Sequence, residues 1–173
     1  TINLSLALSK ASRFQLLDHV FTEDLDARAR MQAFMGLPES ASEQAFRHKL
    51  VETVEKLYDQ SPQLQRQRKD YEKTVQQLAK RNITVVVAAG NEGELQAAVD
   101  RPGFYQNLFS TGQTITVGAT DANFKLWNES NPGADVLARG VAVPITIQGE
   151  TLDYDGTSFA VPKVAHEIDQ AKE

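Results

Sequence analysis

The sequence has no cysteine, one tryptophan and three histidines in 173 residues. Without cysteine there is no disulfide framework, no thiolate metal site and no cysteine nucleophile. No stretch approaches the roughly 18 apolar residues of a membrane span, and the opening Thr1-Ile-Asn-Leu-Ser-Leu is not built like a signal peptide. Basic residues are in deficit: 18 Lys and Arg against 23 Asp and Glu leave a net charge of −5. That balance excludes the electrostatic footprint of a nucleic-acid or anionic-membrane binder. No clustered carboxylate loop offers a calcium site, so neither a metal nor a cofactor is expected. There is also no internal repeat and no low-complexity tract.

What remains is ordinary globular composition, 41% hydrophobic and 24% charged, in a chain of single-domain size. The chain opens in a strand-like run without a methionine and ends at Lys172-Glu173 still in helical pattern, so a piece of a longer protein is expected. Ile2, Leu4 and Leu6 alternate as in a short strand. From residue 10 to 81 the period becomes helical. Phe14, Leu17, Phe21 and Leu25 predict one amphipathic helix running to Phe34 or Met35, stopped by Gly36-Leu37-Pro38. Ser40-x-x-Glu43 reads as a capping box for a second helix with Phe46, Leu50, Val54, Leu57 and Tyr58 on its apolar stripe. Ser61-Pro62 starts a third, with Leu64, Tyr71, Val75 and Leu78 facing inward. The charged outer faces read as solvated surface.

The pattern then flips. Ile83–Ala89 is a continuous β-branched run of the kind buried on both faces of a parallel sheet. It ends in Gly90-Asn91-Glu92-Gly93, which lacks the further glycines and the lysine of a phosphate-binding loop. A short helix and loop over 94–112 lead to a strand at Thr114–Ala119. Asp135–Ala138 is a further strand, and 141–147 with 151–154 form a hairpin around Gly149. A last helix begins near Ser158. Strands separated by helical segments predict an α/β fold, three layers with a mainly parallel sheet, carrying an α-helical insertion at about 10–81.

In open parallel sheets, chemistry gathers at the carboxyl ends of the strands. Asn91 and Ser158 both fall there. In Asp155-Gly156-Thr157-Ser158-Phe159-Ala160, Ser158 is either an ordinary helix-capping neighbour or a nucleophile at a helix N-terminus, where free N–H groups favour negative charge. A side-chain amide beside the nucleophile's own N–H can stabilise an oxyanion.

Three ordered blocks, Ala88-Ala-Gly-Asn-Glu-Gly93, Thr116-Val-Gly-Ala-Thr-Asp121 and Gly156-Thr-Ser-Phe-Ala-Val-Pro-Lys-Val-Ala165, resemble the subtilisin-like serine proteases, the subtilases. Asn3-Leu-Ser-Leu-Ala7 resembles the family strand that pairs with substrate. The resemblance implies a partial catalytic domain over residues 1–173, with Ser158 as nucleophile and Asn91 as oxyanion donor. It also implies substrate-binding positions at Ser5, Leu6, Ala7, Ala88, Ala89, Gly90 and Thr157, a peptide or protein as substrate, and a secreted or cell-envelope location. Residues 10–81 match little beyond the third helix. Ala7 stands where the family usually has glycine, Arg139 where it has proline, and Phe159 where methionine is common.

The family's aspartate and histidine blocks are absent from this sequence. His19 and His48 lie in the helical insertion, and His166 is about 12 Å along the helix from Ser158 at 1.5 Å per residue. The expectation is therefore a fragment inactive alone, whose base lies upstream. The alternative is a degenerate, non-catalytic scaffold that binds proteins through the insertion. Self-association through an unpaired sheet edge or the insertion is a further expectation. Asn3-Leu-Ser, Asn82-Ile-Thr and Asn128-Glu-Ser fit the glycosylation pattern, the first two in or beside strands and so read as coincidence.

Overall fold

The computed structural model describes residues 1–172. Four parallel strands, β1 (Ile2–Leu4), β2 (Val85–Ala88), β3 (Thr114–Thr120) and β4 (Val136–Arg139), lie side by side in chain order. Their register sets Ile2 beside Val85, Val87 beside Thr116 and Val117 beside Val136. Four helices connect β1 to β2: α1 (Lys10–Glu23), α2 (Leu25–Phe34), α3 (Glu43–Gln60) and α4 (Pro62–Lys80). A 3₁₀ turn (Gly93–Ala97) and α5 (Pro102–Tyr105) connect β2 to β3. After β4 come a hairpin, β5 (Val143–Ile147) and β6 (Glu150–Tyr154), and α6 (Thr157–Gln170).

Strand alternation sends successive side chains to opposite faces, and each face of the sheet takes a helix. Val86, Ala88, Val117 and Ala119 meet Ala160, Val161 and Ala165 of α6. Val85 and Val87 meet Val75 of α4, with Tyr71 and Leu78 alongside. The result is the expected three-layer α/β arrangement. A third cluster joins Ala11 and Phe14 of α1 to Phe46, Leu50, Val51 and Val54 of α3, and takes in Val99, Phe104 and Tyr105. The helical segment therefore shares its core with the chain that follows β2. Edge-to-face ring pairs, Phe14–Phe104 at 6.0 Å and Phe21–Phe46 at 5.8 Å, run through this cluster.

Three local expectations are corrected. The single helix predicted from Phe14 to Met35 is two, because Asp24 leaves helical geometry and its Oδ1 accepts from Ala27 N–H at 2.8 Å, capping α2. Leu25 and Phe34 consequently point to solvent, at 72% and 74% exposure. The cap of α3 is Ser42 rather than Ser40, its Oγ accepting from Ala45 N–H at 3.2 Å. Leu57, assigned to the stripe of α3, is exposed, and Val51 is buried there instead. A capping box does exist, at Ser9 and Ser12 of α1. Ser61 and Pro62 begin α4 as predicted.

Tyr105 is buried with its hydroxyl donating to Val99 O at 2.9 Å. Burial pushes its phenol up to about 12, with the charges of Asp100 and Glu92 adding to the effect. An unfolded tyrosine ionises near pH ~10, so above that pH the unfolded chain sheds a proton that the folded chain keeps. Tyr105 therefore costs no stability below pH ~10 and lowers it progressively as pH rises towards 12. Urea unfolding at about pH 9 and about pH 11 should show a smaller loss in Tyr105→Phe than in the wild type. Equal losses would contradict this.

Candidate active site

Beyond Ala88 the chain leaves the sheet through Ala89, Gly90 and Asn91. Ala89 N–H still donates to Val117 O at 2.8 Å. Gly90 then turns at φ +109, where a methyl group would lie 2.3 Å from Asn131 Nδ2, so only glycine fits. The other half of the site comes from the start of α6. Gly156 N–H donates to Gly140 O at 2.8 Å, seating that turn on the end of β4.

Thr157 joins the two halves. Its Oγ1 accepts from Gly90 N–H at 3.2 Å and donates to Asn91 Oδ1 at 2.8 Å, while its N–H donates to the same Oδ1 at 3.0 Å. With Oδ1 doubly held, Asn91 Nδ2 donates to no protein acceptor among the described residues. A methyl on Gly156 would lie 3.1 Å from Ser158 Oγ and 3.5 Å from Asn91 Nδ2. The missing side chain therefore leaves a gap flanked by a hydroxyl and a primary amide. The Ser158 N–H, in the first turn of α6, also has no protein acceptor among the described residues. Pro162 lacks the N–H that would bond the Ser158 carbonyl from one turn on. Phe159 stacks its ring on Tyr154 at 5.8 Å.

Two further asparagines, not singled out from the sequence, hold the surrounding backbone. Asn131, 2% exposed, accepts from Glu92 N–H at 2.8 Å and donates to Glu92 Oε2 at 2.6 Å, Tyr105 O at 3.1 Å and Ala89 O at 3.2 Å. Asn107, 1% exposed, donates to Ala88 O at 2.6 Å and Leu6 O at 3.0 Å and accepts from the N–H groups of Leu8 and Phe109, both at 3.1 Å. It ties the strand end at Ser5-Leu6-Ala7 to the one at Ala88. No periodicity or short motif marks either residue.

Of the positions singled out from sequence, Asn91, Thr157 and Ser158 come together directly. Ala88, Ala89 and Gly90 are buried beside them. Leu6 is exposed, and Ser5 Oγ donates to Asn3 Oδ1 at 2.9 Å. Thr157 is 1% exposed with its hydroxyl fully engaged. A polar cavity of about 470 Å³ opens on the α4 side of the sheet, lined by Ala89, Gly103, Asn107, Thr116 and Asp135 among others. Neither Ser158 nor Asn91 lines it. His19 and His48 are exposed on α1 and α3, His48 lying 3.5 Å from Glu52, and His166 is exposed on α6. Among the described residues no three His, Cys, Asp or Glu side chains cluster as a metal site, and no helix is long and apolar enough to cross a membrane.

The family model described as "Subtilase family" matches residues 42–173. The match runs through α3 and α4, which the sequence analysis placed in an insertion, and leaves β1 and residues 10–41 outside. No curated protein sequence matches the chain. Among solved structures, the prenylagaramide maturation protease PagA is 25% identical over 58% of this chain and 38% of its own, with a TM-score of 0.41. The patellamide maturation protease PatA is 24% identical over 58% and 39%, with a TM-score of 0.45. The epidermin leader peptide processing serine protease EpiP from Staphylococcus aureus is 21% identical over 69% and 32%, with a TM-score of 0.39. The chain thus spans less than half the length of each of these proteins.

Thr157→Val keeps the side-chain shape and removes the bridging hydroxyl, leaving Gly90 N–H buried without its acceptor. A loss of about 1–3 kcal/mol in urea denaturation is expected. Thr157→Ser should recover most of it. A valine variant as stable as the wild type would show that the bridge holds nothing.

Proposed function

The chain belongs to the subtilase family, and from that premise we propose that it is the C-terminal part of a serine endopeptidase catalytic domain working through an acyl-enzyme on Ser158. The observation that carries this reading is the anchoring of Asn91 Oδ1 by Thr157, which leaves Nδ2 and the Ser158 hydroxyl both bordering the space beside Gly156. In this proposal Ser158 Oγ attacks the carbonyl carbon of a peptide bond while a general base takes its proton. The carbonyl oxygen becomes the oxyanion and receives hydrogen bonds from Asn91 Nδ2 and Ser158 N–H. Collapse breaks the C–N bond, the leaving amine takes the proton, and water later frees the acyl group from Ser158.

Substrate would lie along Ser5-Leu6-Ala7 as an added strand, with Ala88, Ala89 and Gly90 forming one wall of the pocket for the residue before the cleaved bond. The proposed part of Thr157 is to orient Asn91. Because none of the three histidines is a base for Ser158 in this reading, the base and its carboxylate partner come from residues outside this chain. The 173 residues alone then have little or no peptidase activity.

A fluorophosphonate probe tests the proposal directly. It should label Ser158 very slowly in the 173-residue chain. Labelling should be rapid once the chain is joined to any residues that precede Thr1 in its gene, if these carry Asp-x-Gly and His-Gly-x-His blocks, and Ser158→Ala should abolish it. Absence of both blocks, or equally slow labelling of the longer protein, would overturn the protease reading in favour of a non-catalytic scaffold.

A further inference from the structure

A buried hydroxyl at the start of α1 reaches the loop that carries Asn91. Ser9, fully buried, caps α1 by accepting from Ser12 N–H at 3.0 Å. Its own hydrogen faces two acceptors at 3.3 Å, Ser12 Oγ and Glu92 Oε2. An ionised carboxylate is the stronger of the two. Glu92 directly follows Asn91. The same Oε2 accepts from Asn131 Nδ2, and the Glu92 N–H donates to Asn131 Oδ1, so the carboxylate is shared between the cap of α1 and the amide that holds the loop. A methyl on Gly90 would lie 2.9 Å from that Oε2, which shows the carboxylate folded back over the turn.

The grip is repeated downstream. Val99, Phe104 and Tyr105 sit in the α1/α3 core, and Tyr105 O accepts from Asn131 Nδ2 at 3.1 Å. The loop is thus held by the helical segment on both of its flanks, by a hydrogen bond on one side and by buried apolar contact on the other.

We infer that α1, packed on α3, is a positioning element for Asn91, with Ser9 and Glu92 as its positioning residues. The inference rests on the proposed role of Asn91 as an oxyanion donor and adds a regulatory consequence: a displacement of α1 reaches the oxyanion loop without passing through Ser158 or α6.

The test uses amide hydrogen exchange in the 173-residue chain with two variants that both retain a capping side chain for α1, Ser9→Thr and Ser9→Asp. Threonine keeps the hydroxyl that Glu92 accepts. Aspartate sets a second carboxylate against Glu92. Exchange of the hydrogen-bonded Gly90 and Glu92 amides should rise about tenfold or more in Ser9→Asp, the factor expected for loss of a hydrogen bond to a charged group, and stay at the wild-type rate in Ser9→Thr. The α1 amides should stay protected in both. Unchanged exchange at Gly90 and Glu92 in Ser9→Asp, or equal loss of protection along α1, would overturn the inference. Exchange does not require Ser158 to react, so a loop that loosens as expected, while the longer protein labels Ser158 no faster than the 173-residue chain, upholds the tether and sinks the protease reading instead.

Discussion

Beyond the last ladder bonds of the parallel strands, the backbone turns inside the protein while its N–H and C=O groups still need partners. Leaving such groups buried and unpaired costs far more than a hydrogen bond returns, so something must reach them. Here side chains do it. Asn107 serves Ala88, Leu6 and Leu8; Asn131 serves Ala89, Glu92 and Tyr105; Thr157 serves Gly90. Ser130 Oγ accepts from Ala119 N–H at 3.1 Å and Asp135 Oδ2 from Thr116 N–H at 2.8 Å. Among the described residues only Thr120 Oγ1 is a buried side-chain polar atom without a partner. The placement of Asn91 beside Ser158 is a consequence of this accounting, since the bond that satisfies Gly90 is made by the hydroxyl that also orients the Asn91 amide.

Small residues set how closely the two halves of that site approach. A methyl on Gly140 would meet Gly156 O at 2.6 Å and Ala119 Cβ at 2.8 Å, so the end of β4 and the turn before α6 touch through backbone alone. The hairpin between them turns at Gln148 and Gly149, both at positive φ as a two-residue turn requires, and β6 lies open to solvent along its whole length. The larger helical segment is built differently. It has its own apolar core, is laced at its surface by pairs such as Arg47–Asp18 and Lys10–Asp59, and carries Arg28 over the Phe46 ring at 4.5 Å. Exposed pairs of this kind contribute little each, so the rings and aliphatics of the shared core bear the weight.

Much of the architecture is legible in the sequence. The β-branched run before Gly90 is the buried strand β2, the run at Thr114 is β3, and the cap and proline at Ser61-Pro62 open α4. The errors lie where two local signals competed. At Asp24 the helical period continued but the side chain was a better cap than a helix interior residue, and the cap won. At Ser40 and Ser42 two caps were available two residues apart, and spacing could not choose between them.

The sequence by itself determined most of the strands and helices, that the sheet is parallel, and that Asn91 and Ser158 lie just beyond strand ends. Those properties follow from periodicity and turn chemistry, which act over a few residues. Only the tertiary structure decided that Thr157 orients Asn91, that Asn107 and Asn131 secure the strand ends, and that Ser9 meets Glu92. These bonds join residues 19 to 101 positions apart, and such pairings are selected by which buried backbone groups the folded topology leaves unsatisfied.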